Sequence, residues 1–310
     1  MAVVINKEPV SKVGVIGLGQ MGSGIARNLH QQGLLAAVWD IDPSALAPLA
    51  EERLVPVVRS PREVAEFSDV VVFVVPSSNE VRDCLNGSDG VLSTDKAGQV
   101  ILDLTTSDPR VTKSTVGHVQ SHGRAYLDAG MSGGAQAAAN AQLSLMVGGS
   151  LEVYERCMPV FEAIADVQRV RRVGAEGAGH TMKLIHNMIC HSIFLITAEG
   201  CRLAEHSGID LATAIDVIND GNARSFVSEL RFPRHILSGK WDGRSRVANL
   251  EKDLRLGVDF AREVGVPALF AAPTAAFLSH ALEEGMAEQD FTLLYREFDR
   301  LTGFAQSQLD

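Results

Sequence analysis

VGVIGLGQMGSGIA, residues 13–26, threads glycines through valine, isoleucine and leucine in a way that would weaken an ordinary helix or strand. The run makes sense if VGVI is a strand, SGIARNLHQQG opens a helix, and Gly17-Leu18-Gly19-Gln20-Met21-Gly22 is the turn between them. In that setting Gly17 permits the tight turn, Gly19 lets a pyrophosphate approach the backbone, and Gly22 lets helix pack closely on strand. The helix start adds amide N–H groups and a positive dipole end. The space is for a dinucleotide.

Outward from this turn the chain reads as two halves. KVGVIG, LAAVWD, DVVVFVV, QVILDL, AYLDAG and LSLMVGG are short β-branched runs separated by helical patterns, which is how a parallel sheet buried on both faces appears in sequence. VGAEGAG, from Val173, then reads as a glycine-rich hinge, and the text beyond it is almost all helical. It opens with a stretch from about Ala178 to His206 too apolar for a surface helix. The expected architecture is α/β: an N-terminal dinucleotide-binding domain over residues 1–174 and an all-α domain over 175–310, joined by a long helix.

Bulk properties narrow the function. A formal charge of −10 repels polyanions, so nucleic acid is not an expected partner. No uninterrupted apolar run is long enough to cross a membrane, and MAVVINKEPV at the start is too short and too mixed for a signal peptide, so the cytoplasm is the expected location. Cys84, Cys157, Cys190 and Cys201 lack metal-ligand spacing and suit a reducing compartment. His180, His186 and His191 fall on different helix faces, so no metal is expected.

Four further pieces carry chemistry. The second strand ends at Asp40, 23 residues after Gly17, where an acidic side chain meets the adenosine ribose; a 2′-phosphate would face Asp40 and Asp42 with no adjacent arginine, which favours NAD over NADP. Gly179, Lys183 and Asn187 recur at intervals of four, one stripe of a helix with His186 beside it. A lysine in so apolar a helix either snorkels to water or is held for proton transfer. Ser132-Gly133-Gly134 directly follows a strand, where free amides and a hydroxyl suit a carboxylate, or where serine merely caps a helix. Lys252 and Asp253 stand at a helix start, where Lys252 either reaches back to the cofactor or is surface charge. One region is locally basic: residues 221–246 hold Arg224, Arg231, Arg234, Lys240, Arg244 and Arg246 against Glu229 and Asp242. It is a solvated face or an anion site.

Taken in order, these motifs resemble the β-hydroxyacid dehydrogenase family of the 3-hydroxyisobutyrate and tartronate-semialdehyde type, from about Lys12 to Gly303. They are GxGxMG at Gly17–Gly22, DxSTxxP as Asp103–Pro109, SGG at Ser132–Gly134, GxxxKxxxN at Gly179, Lys183 and Asn187, and KDL at Lys252–Leu254. The resemblance implies a Rossmann-type first domain and NAD-dependent oxidation of the β-hydroxyl of a small acid carrying a carboxylate or sulfonate. It implies Lys183 as the catalytic base, with Ser132, Gly133, Gly134 and Asn187 at the substrate; His186, beside that stripe, is expected at the substrate with them. Val75, Pro76, Thr106 and Lys252 would join the glycine turn at the cofactor. It also implies a homodimer or homotetramer. The chain departs from the pattern where Ala129-Gly130-Met131 precedes SGG. The histidines around Lys183 look more like the 6-phosphogluconate dehydrogenase branch, which opens oxidative decarboxylation as an alternative. Against that, Cys190 stands where that branch has a glutamate acid. Imine reductases share the fold but generally lack this lysine, and non-catalytic cofactor-binding relatives lose it. Met131, His180, His186 and the basic region are the expected shapers of the pocket.

Overall fold

The computed structural model describes residues 9–51 and 56–303; the N-terminal segment discussed above lies mostly outside them. The chain divides into two compact units, residues 1–183 and 184–310, with the division inside one helix.

The first unit is built on a seven-stranded sheet in the order β2-β1-β3-β4-β5-β6-β7. Its strands are β1 (Val13–Ile16), β2 (Leu35–Trp39), β3 (Val70–Phe73), β4 (Val100–Asp103), β5 (Ala125–Ser132), β6 (Leu143–Gly148) and β7 (Ala165–Gly174). The strands read as continuous apolar runs because both faces are covered. Val13, Val15, Val70, Val72, Val100 and Leu102 enter one core, whereas Ile16, Val71, Phe73 and Ile101 enter the other. The first five strands pair in parallel, β5 and β6 run antiparallel, and β7 returns parallel to β6. Sequence reading found six strands and missed β7. That strand, ADVQRVRRVG, is an edge with Gln168, Arg169, Arg171 and Arg172 exposed, so it lacks the apolar run that marks its neighbours.

Strand order reverses between β1 and β3, the point where open α/β sheets receive ligands beyond the carboxyl ends of their strands. Four connections emerge at that edge. Gly17–Gly22 follows β1, Asp40 follows β2, Val75-Pro76 follows β3 and Thr106 follows β4.

The second unit is helical. The long helix Ala178–His206 continues into it, and Phe194, Ala198 and Cys201 join a core with Phe232, Ile236, Leu254, Leu278, Phe291 and Leu294. By length and composition this helix could cross a membrane, and about a third of its most apolar window is buried in the protein. The helix Val247–Glu263 begins well before KDL, so Lys252 and Asp253 lie in its second turn rather than at its start as the sequence suggested. Val227–Leu237 winds in the wider π form despite Pro233 and buries Val227, Ser228, Phe232 and Ile236. The part of the basic region that holds Arg231 and Arg234 is therefore a packed helix. Near the C-terminus Arg202 clamps Asp299, and Tyr295 donates to Glu205 at 2.6 Å.

Candidate active site

The glycine turn has the shape a dinucleotide needs. Gly17 has φ of +93°, a conformation costly for any residue with a side chain, and a Cβ there would overlap the Val74 carbonyl and crowd Val75. A Cβ at Gly22 would overlap the Gly17 carbonyl oxygen, whereas one at Gly19 would meet nothing within 4 Å. Gly17 and Gly22 are thus required by the protein itself, and the space over Gly19 is left open. Among the described residues no side-chain hydrogen bond from the N-cap residue Met21 closes the start of the helix Gly22–Gln31, which suits an anion at that end. These features fit a pyrophosphate.

Asp40, expected from the sequence at the adenosine ribose, is tied into the surrounding backbone. One carboxylate oxygen accepts from Leu18 N at 2.6 Å, tying the end of β2 to the glycine turn, and the other accepts from Asp42 N at 2.8 Å. Asp42 ionises below the usual carboxylate range because Ser44 donates to it. Val75 is half-buried against Gly17 and Pro76 is exposed beside it. Thr106 is half-buried in the turn after β4, where Asp103 accepts from Thr105 N at 2.9 Å and from the Tyr126 hydroxyl at 2.6 Å.

Lys183 is the last residue of the first unit, and its surroundings there account for an unusual stretch of β5. Gly130 faces it so closely that a Cβ would stand 2.5 Å from Lys183 Cβ, and Lys183 Nζ donates to the Met131 carbonyl at 2.6 Å. The Ala129-Gly130-Met131 departure is therefore room for the lysine stem. Ser132, half-buried, and the exposed Gly133 and Gly134 come next in the chain, both glycines at positive φ.

What holds the helix in place was not visible in the motifs. Asp128, fully buried in β5, accepts from Gly177 N at 2.6 Å and from His180 N at 2.8 Å. It satisfies amides that would otherwise be unpaired at the start of the helix bearing Lys183. A carboxylate in the apolar strand AYLDAG was the available signal, since a buried charge requires donors. His180 was expected to shape a pocket; instead it is completely buried, its ring between Thr112 Oγ1 at 2.8 Å and the Asp103 carbonyl at 3.3 Å.

In the second unit Asn187 is buried and donates to Asp253 Oδ2 at 2.7 Å. Because a carboxylate only accepts, this orients the amide and turns Asn187 Oδ1 to accept from His186 Nδ1 at 3.1 Å. Lys252 Nζ lies 3.4 Å from the other Asp253 oxygen. Asp253 thus links two of the candidate residues, Asn187 and Lys252, although sequence reading gave it no role.

Two known families divide the chain between them. Residues 12–175 match the NAD binding domain of 6-phosphogluconate dehydrogenase, and residues 177–298 match the NAD-binding domain of NADP-dependent 3-hydroxyisobutyrate dehydrogenase. L-threonate dehydrogenase of Escherichia coli K12 is 31% identical over 94% of this chain and 95% of its own length. The chain belongs to the β-hydroxyacid dehydrogenase family. Within that family, 2-(hydroxymethyl)glutarate dehydrogenase of Eubacterium barkeri is 29% identical over 96% of this chain and 97% of its own. The solved 3-hydroxyisobutyrate dehydrogenase of Mycobacterium tuberculosis with L-serine superposes with a TM-score of 0.84 at 27% identity, covering 93% of this chain and 99% of that one. An imine reductase from Pseudomonas sp., 20% identical with a TM-score of 0.61, shares the fold. As a β-hydroxyacid dehydrogenase the chain is an oxidoreductase with an NAD(P)-binding domain.

Proposed function

We propose that this β-hydroxyacid dehydrogenase oxidises the β-hydroxyl of a small 3-hydroxy acid to the semialdehyde or keto acid, or runs the reverse reduction, with Lys183 as the proton-transferring residue. The observation that carries this reading is the Lys183 Nζ bond to the Met131 carbonyl, immediately before Ser132-Gly133-Gly134. A backbone carbonyl can only accept, so this bond uses one N–H in either protonation state and leaves the lone pair of the neutral amine for a hydroxyl proton. Ser132, Gly133 and Gly134 hold the substrate carboxylate in this reading. Asn187, oriented by Asp253 and flanked by His186, presents its remaining N–H to a substrate oxygen. When bound, the nicotinamide supplies the two-electron acceptor for the hydride released from the carbinol carbon. Lys183 takes the hydroxyl proton as that hydride departs and returns it in reduction.

Gly17–Gly22, Val75, Pro76, Thr106 and Lys252 are assigned to the cofactor. Asp40 and Asp42 favour NAD, because two carboxylates would oppose a 2′-phosphate. Simple oxidation is preferred to oxidative decarboxylation because Cys190, not a carboxylic acid, occupies the turn after Asn187.

A homodimer or homotetramer is the proposed assembly. Ile185, Ile189, Ile196 and Leu203 expose an apolar stripe along the long helix, with Ile196 61% and Leu203 69% accessible. Light scattering of an Ile189→Glu/Ile196→Glu variant should report a smaller particle than the native chain.

The deciding experiment follows absorbance of the reduced cofactor with 3-hydroxyisobutyrate, L-threonate and 2-(hydroxymethyl)glutarate, using NAD and NADP in parallel and Lys183→Ala as control. Turnover with NAD that depends on Lys183 supports the reading. Near-native activity in Lys183→Ala defeats it.

A further inference from the structure

Two arginines, one in each unit, differ in how their donors are used. Arg124, buried in the first unit, donates from Nη1 to Val91 O at 2.6 Å and from Nη2 to Thr94 O at 2.7 Å and Thr94 Oγ1 at 2.7 Å, as a structural arginine does. Arg231, half-buried in the second unit, has its guanidinium over aromatic rings, 4.9 Å from the centre of Phe291 and 5.5 Å from that of Phe226. Among the described residues no oxygen accepts a hydrogen bond from it.

The local fold explains the stack. Phe226 and Arg231 are five residues apart, the interval that a π-helical turn brings onto one face, and the helix Val227–Leu237 is wound that way. Phe291 is buried and packs edge-on against Phe194 of the long helix at 5.0 Å. The ionisable groups near enough to act on Arg231 are the Cys190 thiol and Asp290. Cys190 stands three residues beyond Asn187, about 4.5 Å along the helix axis. Asp290 is already engaged: it accepts from Gly243 N, Thr292 N and Thr292 Oγ1 on one oxygen and from Arg244 N on the other. Burial, the largest influence on Arg231, pushes its pKa down, so its positive charge is desolvated without full compensation. Rings against the guanidinium leave its edge, with the forked N–H donors, available for a planar oxyanion.

We propose that Arg231 binds a second carboxylate of the substrate, so that this enzyme acts on 3-hydroxy dicarboxylic acids. The inference rests on the assignment of Asn187 to the reacting end of the substrate. One cation matches one carboxylate, whereas a phosphate dianion would carry charge that a single guanidinium leaves unanswered. The second acidic group then lies one helical turn from Asn187, on the side marked by Cys190.

Calorimetry on the NADH-loaded protein tests this without turnover, using glutarate against butyrate. Glutarate should bind at least about 10-fold more tightly, and Arg231→Met, which keeps apolar packing on the rings, should abolish that preference while leaving butyrate affinity and the melting temperature unchanged. Arg231→Lys, retaining the charge without the fork, should recover part of it. In turnover, Arg231→Met should lower kcat/KM for 2-(hydroxymethyl)glutarate about 100-fold, mainly through KM, and leave 3-hydroxyisobutyrate within twofold. Equal binding of the two probes, or equal losses on both in Arg231→Met, would overturn the proposal. Arg231-dependent glutarate binding without oxidation of any acid would instead count against the dehydrogenase chemistry alone. Lys183-dependent oxidation of 3-hydroxyisobutyrate with no preference for glutarate would count against Arg231 alone.

Discussion

In the turn from Gly17 to Gly22 the chain makes its site from backbone: two glycines are demanded by carbonyl groups within the unit, and a third leaves open space. Between Phe226 and Arg246 it makes shape from side chains whose partners come from far along the sequence. Arg231 stacks on Phe291, and Asp290 holds the amides of Gly243 and Arg244. A backbone site is written into consecutive residues, whereas a side-chain site is completed only when distant segments meet. The first is recognisable as a motif; the second shows in sequence only as a cluster of like charges.

The largest expected effect falls where the first unit ends. Lys183→Ala should lower kcat by roughly 10²–10⁴-fold, the usual contribution of a positioned proton-transfer group, while NAD still raises the melting temperature. Loss of both together would mean that Lys183 supports the fold rather than the reaction.

Next come the glycines, which separate folding from binding inside one motif. Gly17→Ala and Gly22→Ala should each destabilise the protein by about 3 kcal/mol in chemical denaturation, because the new methyl meets a backbone carbonyl. Gly19→Ala should leave stability unchanged and weaken NAD binding in a fluorescence titration. If all three behaved alike, the distinction between required and open glycines would fail.

Smaller effects probe the side-chain sites of the second unit. Asp253→Asn should cost about 1.5–3 kcal/mol of substrate binding by releasing the Asn187 amide, seen as a raised KM with NAD affinity retained. Asp299→Asn should reduce stability by about 1 kcal/mol at pH 7. The Arg202 hydrogen bond holds Asp299 below the ordinary carboxylate range. A depressed folded-state value means that its stabilisation is complete above about pH 4 and fades as the pH falls through that value. Native protein and Asp299→Asn should therefore converge in strong acid, and a constant gap down to pH 2 would exclude the ion pair as its source.

Much of the first unit was legible because parallel strands buried on both faces leave long apolar runs and the turn between β1 and its helix has few sequence solutions. β7 was illegible because an edge strand needs no such run and this one carries arginines outward. In the candidate site, Lys183, Asn187 and the SGG turn could be picked out because polar residues in apolar surroundings require a reason. The roles of Asp128 and Asp253 could not, since what an isolated carboxylate pairs with is set by contacts across 49 and 66 residues of chain. His180 shows the opposite error, a residue that looked available by spacing and was enclosed by packing.

By itself the sequence determined the α/β and helical halves, the dinucleotide turn and the family, because each depends on local periodicity, glycine sterics or consecutive residue identities. Only the tertiary structure decided that Gly130 makes room for Lys183, that Asp128 secures the start of its helix, and that Arg231 stacks on aromatic rings with no oxygen of the described residues accepting from it. Those facts depend on which side chains meet after the chain has folded, and hydrogen-bond donors and acceptors are assigned only at that stage.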